Sequence, residues 1–109
     1  MKIVKYQDVE SSEEVPGAIK HEVITEEDGA PNFAMRVFEV EPGGSSPFHS
    51  HSWEHEVFIL SGQGVVQGQQ GETKIEKDNV VFVAPDEKHS FVNKGDEPLR
   101  FVCVIPHVH

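Results

Sequence analysis

The stretch that decides the fold is His49-Ser-His-Ser-Trp-Glu-His55, which runs directly into Glu56-Val-Phe-Ile-Leu-Ser-Gly62. Three of the chain's 7 histidines fall within these first seven residues, just before an apolar run. On extended backbone, side chains two apart share a face, so His49 and His51 can grip one ion together. His55 joins them if the chain bends at Ser52-Trp53 into a strand at Glu56. His89 opens a second segment of similar texture, His89-Ser-Phe-Val-Asn93, 34 residues beyond His55. Any one of these histidines alone reads as a polar loop residue. H-x-H-x3-H on β-type sequence, with a fourth histidine opening another strand, predicts that His49, His51, His55 and His89 meet around one metal ion.

The same residues contain a competing motif. His51-Ser-Trp-Glu-His55 spells H-x-x-E-H, an inverted zinc-peptidase signature that needs a helix to bring its two histidines together. Pro47 just upstream and the strand-like Val57-Phe-Ile-Leu60 just downstream exclude that helix.

Working outward, turn signals recur every 8 to 12 residues from about residue 26 onward, and no window shows a capped helical period. This spacing predicts an antiparallel sandwich or barrel. Phe33–Val40 reads as a strand buried on much of both faces, with Arg36 as its exception. Pro42-Gly-Gly-Ser-Ser-Pro47 forces a turn. Val65 to Gln69 and Glu72 to Glu76 form a polar hairpin, Val80–Ala84 a buried strand, and Leu99–Ile105 a last strand covered on both sides. Upstream, residues 1–32 read as an N-terminal strand or arm, MKIVKY, then an acidic loop through DVESSEEVPGAIK, and a weakly alternating segment Ile19–Thr25. This part belongs to the same domain as the barrel of residues 33–109. His21 is expected to be a half-exposed strand residue. The tail Pro106-His-Val-His109 carries another H-x-H, which we treat as adventitious.

At 109 residues the chain is the size of one domain with a modest core. A formal net charge of -10 opposes nucleic acid and anionic membranes as partners. One cysteine excludes an intramolecular disulfide, and MKIVKYQDVE has no apolar h-region, so a reducing cytoplasm is expected. No apolar run approaches the ~20 residues of a spanning helix.

The chain resembles a small single-domain cupin. Gly43, His49, His51 and Gly62 match the family's first motif, G-x5-H-x-H-x3 or 4-E-x6-G, with His55 where the family usually has Glu. The second motif, G-x5-P-x-G-x2-H-x3-N, aligns on His89 and Asn93, but Asp78, Ala84 and Asp86 replace its Gly, Pro and Gly. The resemblance covers about residues 33 to 105. It implies an all-β double-stranded β-helix, or jelly-roll barrel. It also points to a subset with four-histidine sites, which share the H-x-H-x-W-E-H run and a cysteine in the last strand.

Four neutral imidazoles leave a divalent ion its full charge, which favours Mn, Fe, Co, Ni, Cu or Zn over Mg or Ca. The family suggests Mn or Fe. Glu54 and Glu56 then become candidates to orient ligand histidines from behind. Trp53, Arg36, Phe101, Cys103 and Ile105 are the candidate pocket residues. The implied function is a metal-dependent, oxygenase-like enzyme acting on a small apolar or aromatic substrate. A non-catalytic metal- or ligand-binding module is the alternative, as a sensor or storage protein, and an isomerase is a weaker third. The family's habit is a homodimer, to which the MKIVKY arm could add a strand.

Overall fold

The structure, a computed structural model, describes residues 1–107. His109, half of the tail's H-x-H, lies outside the described residues. Nine strands alternate with turns: β1 (Ser11–Val15), β2 (Ala18–Ile24), β3 (Phe33–Val40), β4 (His55–Ser61), β5 (Gln63–Gly68), β6 (Gly71–Glu76), β7 (Val80–Val83), β8 (His89–Asn93) and β9 (Leu99–Pro106). The helical content of the described residues is two 3-10 turns, Tyr6–Asp8 and Glu26–Asp28. No helix among them is long and apolar enough to cross a membrane.

All strand pairings are antiparallel. A six-stranded sheet, in the order β1-β2-β3-β9-β4-β7, faces a three-stranded sheet, β6-β5-β8. Alternation sends Phe38, Val40, Val57, Ile59, Leu99, Phe101 and Cys103 from the larger sheet into the core, where Ile75 and Phe91 of the smaller sheet meet them. Phe38, Phe101 and Phe91 form a continuous stack, with ring centres 5.1 and 4.5 Å apart. This is the all-β double-sheet architecture that the turn spacing predicts.

The N-terminal third departs from expectation. The acidic stretch read as a loop contains β1, which turns at Pro16-Gly17 and pairs with β2. Its Ser and Glu side chains are tolerated because β1 is an edge strand whose first three residues are exposed. The segment MKIVKY, read as an edge strand or arm, forms no strand. Instead Lys2 Nζ is tied to the Val23 carbonyl and the Asp28 carboxylate, each at 2.9 Å. Tyr6 covers the outer face of the large sheet, donating to Glu39 at 2.6 Å and accepting from Arg100 at 2.8 Å. His21 is buried rather than half-exposed, with its Nδ1–H donating to the Val9 carbonyl at 2.7 Å. Residues 1–32 thus build part of the sheet itself.

β7 also departs from the buried strand expected of Val80–Ala84. It is an edge strand, and Val80 and Phe82 are 77% and 61% exposed. A short apolar run carries no sign of whether its second face will be covered.

The positions that depart from the second motif keep its backbone. Asp78 and Asp86 stand where glycines are usual, and both adopt left-handed conformations, with φ of 75° and 66°. Aspartate tolerates that region better than most residues because its short carboxylate bonds locally. Asp86 N–H also donates to the His51 carbonyl at 2.6 Å, fixing the turn beneath the histidine segment. In urea denaturation, Asp86→Gly should stay within about 1 kcal/mol of the parent, whereas a β-branched Asp86→Val should cost about 2 kcal/mol. Equal stability of the two variants would refute a backbone requirement at this turn.

Candidate metal centre

The site is assembled where the histidine segment crosses the small sheet. His49 and His89 form an isolated antiparallel bridge with reciprocal backbone hydrogen bonds of 3.1 and 3.0 Å. A second bridge, Ser45 to Val92, holds the same segment one step away. His49 and His51 are therefore in bridged and irregular chain rather than in a strand. His55 opens β4, paired with Val83.

The four histidines come together as expected. Their ring centres close a perimeter: His49 to His51 at 4.4 Å, His51 to His55 at 5.3 Å, His55 to His89 at 5.0 Å, and His89 to His49 at 5.4 Å. An imidazole bound at about 2.1 Å has its ring centre about 3.3 Å from the ion, so neighbouring rings at tetrahedral or square angles sit about 4.7 to 5.4 Å apart. Three sides of the perimeter fall within that spacing, and the His49–His51 side, at 4.4 Å, is shorter. As the side chains stand, however, no group of three or more His, Cys, Asp or Glu among the described residues closes into a metal-holding set. One ring is visibly engaged elsewhere: His51 stacks on Trp53 at 4.4 Å and 10°.

Two nitrogens are already prepared. His89 Nδ1 lies 2.9 Å from the Glu87 carbonyl, which can only accept, so Nδ1 carries the proton and Nε2 is left with its lone pair. His55 Nδ1 lies 3.2 Å from Cys103 Sγ, and its Nε2 is buried with no partner. The groups behind these rings are thus a backbone carbonyl and a thiol. Glu54 and Glu56, expected in that role, are exposed and bond neither ring.

The surrounding cavity, about 260 Å³, is lined by the four histidines with Trp53, Arg36, Phe101 and Cys103. Ile105, the remaining candidate, lines a neighbouring cleft instead. Sequence reasoning missed Phe38, Phe91, Glu14 and Lys20, which also line the cavity. Phe91 shares the strand parity of His89 and was discoverable. Glu14, on β1, and Lys20, on β2, were hidden by reading the acidic stretch through Lys20 as a loop.

Burial is the main force on the imidazoles. It lowers His49 and His51 below the usual range and pushes His55 down to about 3, with neighbouring histidines and Arg36 adding like-charge repulsion. Burial raises the Cys103 thiol, outweighing the opposite pull of Arg36. Between the unfolded histidine value near ~6.5 and the folded value of His55, only the unfolded chain takes up the proton. His55 should therefore add a stability slope of about 1.4 kcal/mol per pH unit, stability falling as pH drops below 6.5. Denaturant unfolding of metal-free protein at pH 7.5, 6 and 5 measures it, with His55→Gln as the variant that flattens the slope.

The chain belongs to the cupin family: residues 36–105 match the family's Cupin domain model. It is 37% identical over 65 residues to the oxalate-binding protein of Thermotoga maritima, covering 59% of this chain and 54% of that protein. It is 30% identical over 78 residues to the tetracenomycin polyketide synthase protein TcmJ of Streptomyces glaucescens, covering 71% of this chain and 52% of that protein. The chain spans about half the length of these curated relatives. Among solved structures, the polyketide cyclase RemF of Streptomyces resistomycificus superposes with a TM-score of 0.88 at 32% identity, covering 97% of this chain and 79% of that one.

Proposed function

We propose that this cupin binds a divalent transition ion through His49, His51, His55 and His89, and uses it in an oxygenase-like reaction on a small aromatic or apolar substrate. The observation that carries the reading is the closed perimeter of four imidazoles, together with the unpartnered Nε2 of His55. Mn or Fe remains the favoured ion, with Co, Ni, Cu and Zn compatible with the donors. When bound, the ion would supply a Lewis-acidic centre for a substrate oxygen or for dioxygen.

The chain's own residues would do the rest. Cys103 and the Glu87 carbonyl hold two of the rings by their Nδ1 atoms. Phe38, Phe91, Phe101 and Trp53 line the cavity with aromatic surface that excludes water and suits an aromatic body. Two relatives are named for polyketide chemistry, which supports a small organic substrate of that class. A non-catalytic ligand-binding module is the second reading, favoured by the likeness to an oxalate-binding protein.

Protein purified without chelator should carry close to one transition ion per chain by elemental analysis. His55→Ala should weaken ion binding about 100-fold or more, and Glu56→Ala less than about twofold. The reverse ranking would return the site to a glutamate-containing set. Oxygen uptake with small phenols and diketones separates the two readings: tight metal with no turnover favours the binding module.

A further inference from the structure

Arg36 is a cation on the inner face of the large sheet, and the protein leaves it almost without acceptors. It sits on β3 opposite Cys103 in the β3–β9 register and opposite Glu22 in the β2–β3 register. Glu22 would be its natural partner, but its carboxylate is turned to Lys20, 3.2 Å away. Lys20 also holds Glu14 at 2.6 Å, so both carboxylates near the guanidinium, Glu14 and Glu22, are turned to one ammonium and neither bonds Arg36. Among the described residues Arg36 makes no ion pair, in a chain with 19 acidic residues against 9 basic ones.

What the protein offers the guanidinium is weak. Nη2 donates to Cys103 Sγ at 3.1 Å, and sulfur is a poor acceptor. The guanidinium carbon lies 5.1 Å from the centre of the Phe38 ring. Its Nε–H is buried with no acceptor. Arginine does not shed its proton, so this charge cannot be removed by titration and a buried donor without a partner is costly. A group that is held in place, permanently charged and short of acceptors beside a cavity is matched by an anionic ligand.

We infer that Arg36 is the specificity-determining residue of the cavity, and that the ligand is a small carboxylate with an aromatic or apolar body. The planar guanidinium fork matches a carboxylate, and the phenylalanine and tryptophan walls match the body. A cavity of about 260 Å³ limits that body to roughly the size of one ring. The inference deepens the metal-site reading, since an ion on four neutral imidazoles adds its own positive charge next to Arg36. Recognition by Arg36 does not itself require the ion.

Benzoate and benzamide serve as probes, nearly identical in shape and differing in charge. Calorimetric titration is done on the wild type, Arg36→Met and Arg36→Lys, each in chelator-treated and Zn-loaded form, with zinc content measured on the same samples. The wild type should bind benzoate at least tenfold more tightly than benzamide in both forms. In the chelator-treated form Arg36→Met should reduce benzoate to the level of benzamide, and in both forms it should leave benzamide unchanged, which reports an intact pocket; in the Zn-loaded form the ion keeps part of the preference for the anion. Arg36→Lys, which keeps the charge without the fork, should weaken benzoate but retain part of the preference. Should Arg36→Met fail to fold, the Lys variant decides. No benzoate binding, no preference in the wild type, or unchanged benzoate affinity in both variants overturns the inference. Protein that takes up no zinc yet keeps an Arg36-dependent preference removes the metal reading and leaves this one standing.

Discussion

The candidate site depends on two backbone hydrogen bonds between His49 and His89. They join an irregular segment to the small sheet and set the first two histidines directly beside the fourth. The neighbouring Ser45–Val92 bridge and the hydrogen bond from Asp86 to the His51 carbonyl extend that seam on both sides. Asn93, buried at the far end of β8, donates to the carbonyls of Val40 and Glu97 and accepts from Gly95 N–H. The second motif's asparagine thus serves as a structural latch, and its histidine serves the site.

The environment of the imidazoles follows from the same arrangement. Burial in the partly apolar cavity makes protonation of His49, His51 and His55 unfavourable, and Arg36 adds to the effect. Neutral rings are the form in which histidine offers a lone pair to a Lewis acid. The contacts that keep His55 and His89 oriented come from a thiol and a main-chain carbonyl, groups that add no negative charge. The charged side chains that line the cavity are Arg36, Lys20 and Glu14, and Glu14, held by Lys20, is the carboxylate among them.

The part of this arrangement readable from sequence was the part governed by short, regular spacing. H-x-H-x3-H, the isolated His89 and the rhythm of turns were enough to expect a double-sheet fold with four histidines together. Three features resisted. Apart from Val15, β1 is Ser and Glu, which have no strand preference of their own, and it exists because β2 offers it a register. β7 is as apolar as a core strand yet lies at an edge, which depends on what lies beyond it. The partners of the histidine Nδ1 atoms are Cys103, 48 residues from His55, and the carbonyl of Glu87, which has no side-chain signature. Glu54 and Glu56 were attractive because they are adjacent in sequence, but adjacent residues on extended backbone point to opposite faces.

The seam between His49 and His89 joins residues 40 apart in the chain, and the rings it aligns come from both sheets. No local fragment can display the four imidazoles in their final spacing. The cluster is in effect a checksum on the completed chain: a nascent or partly unfolded molecule presents the same histidines, but scattered. Whatever the site recognises, it is recognised only after the long-range contacts have formed, so occupancy would distinguish finished molecules from unfinished ones.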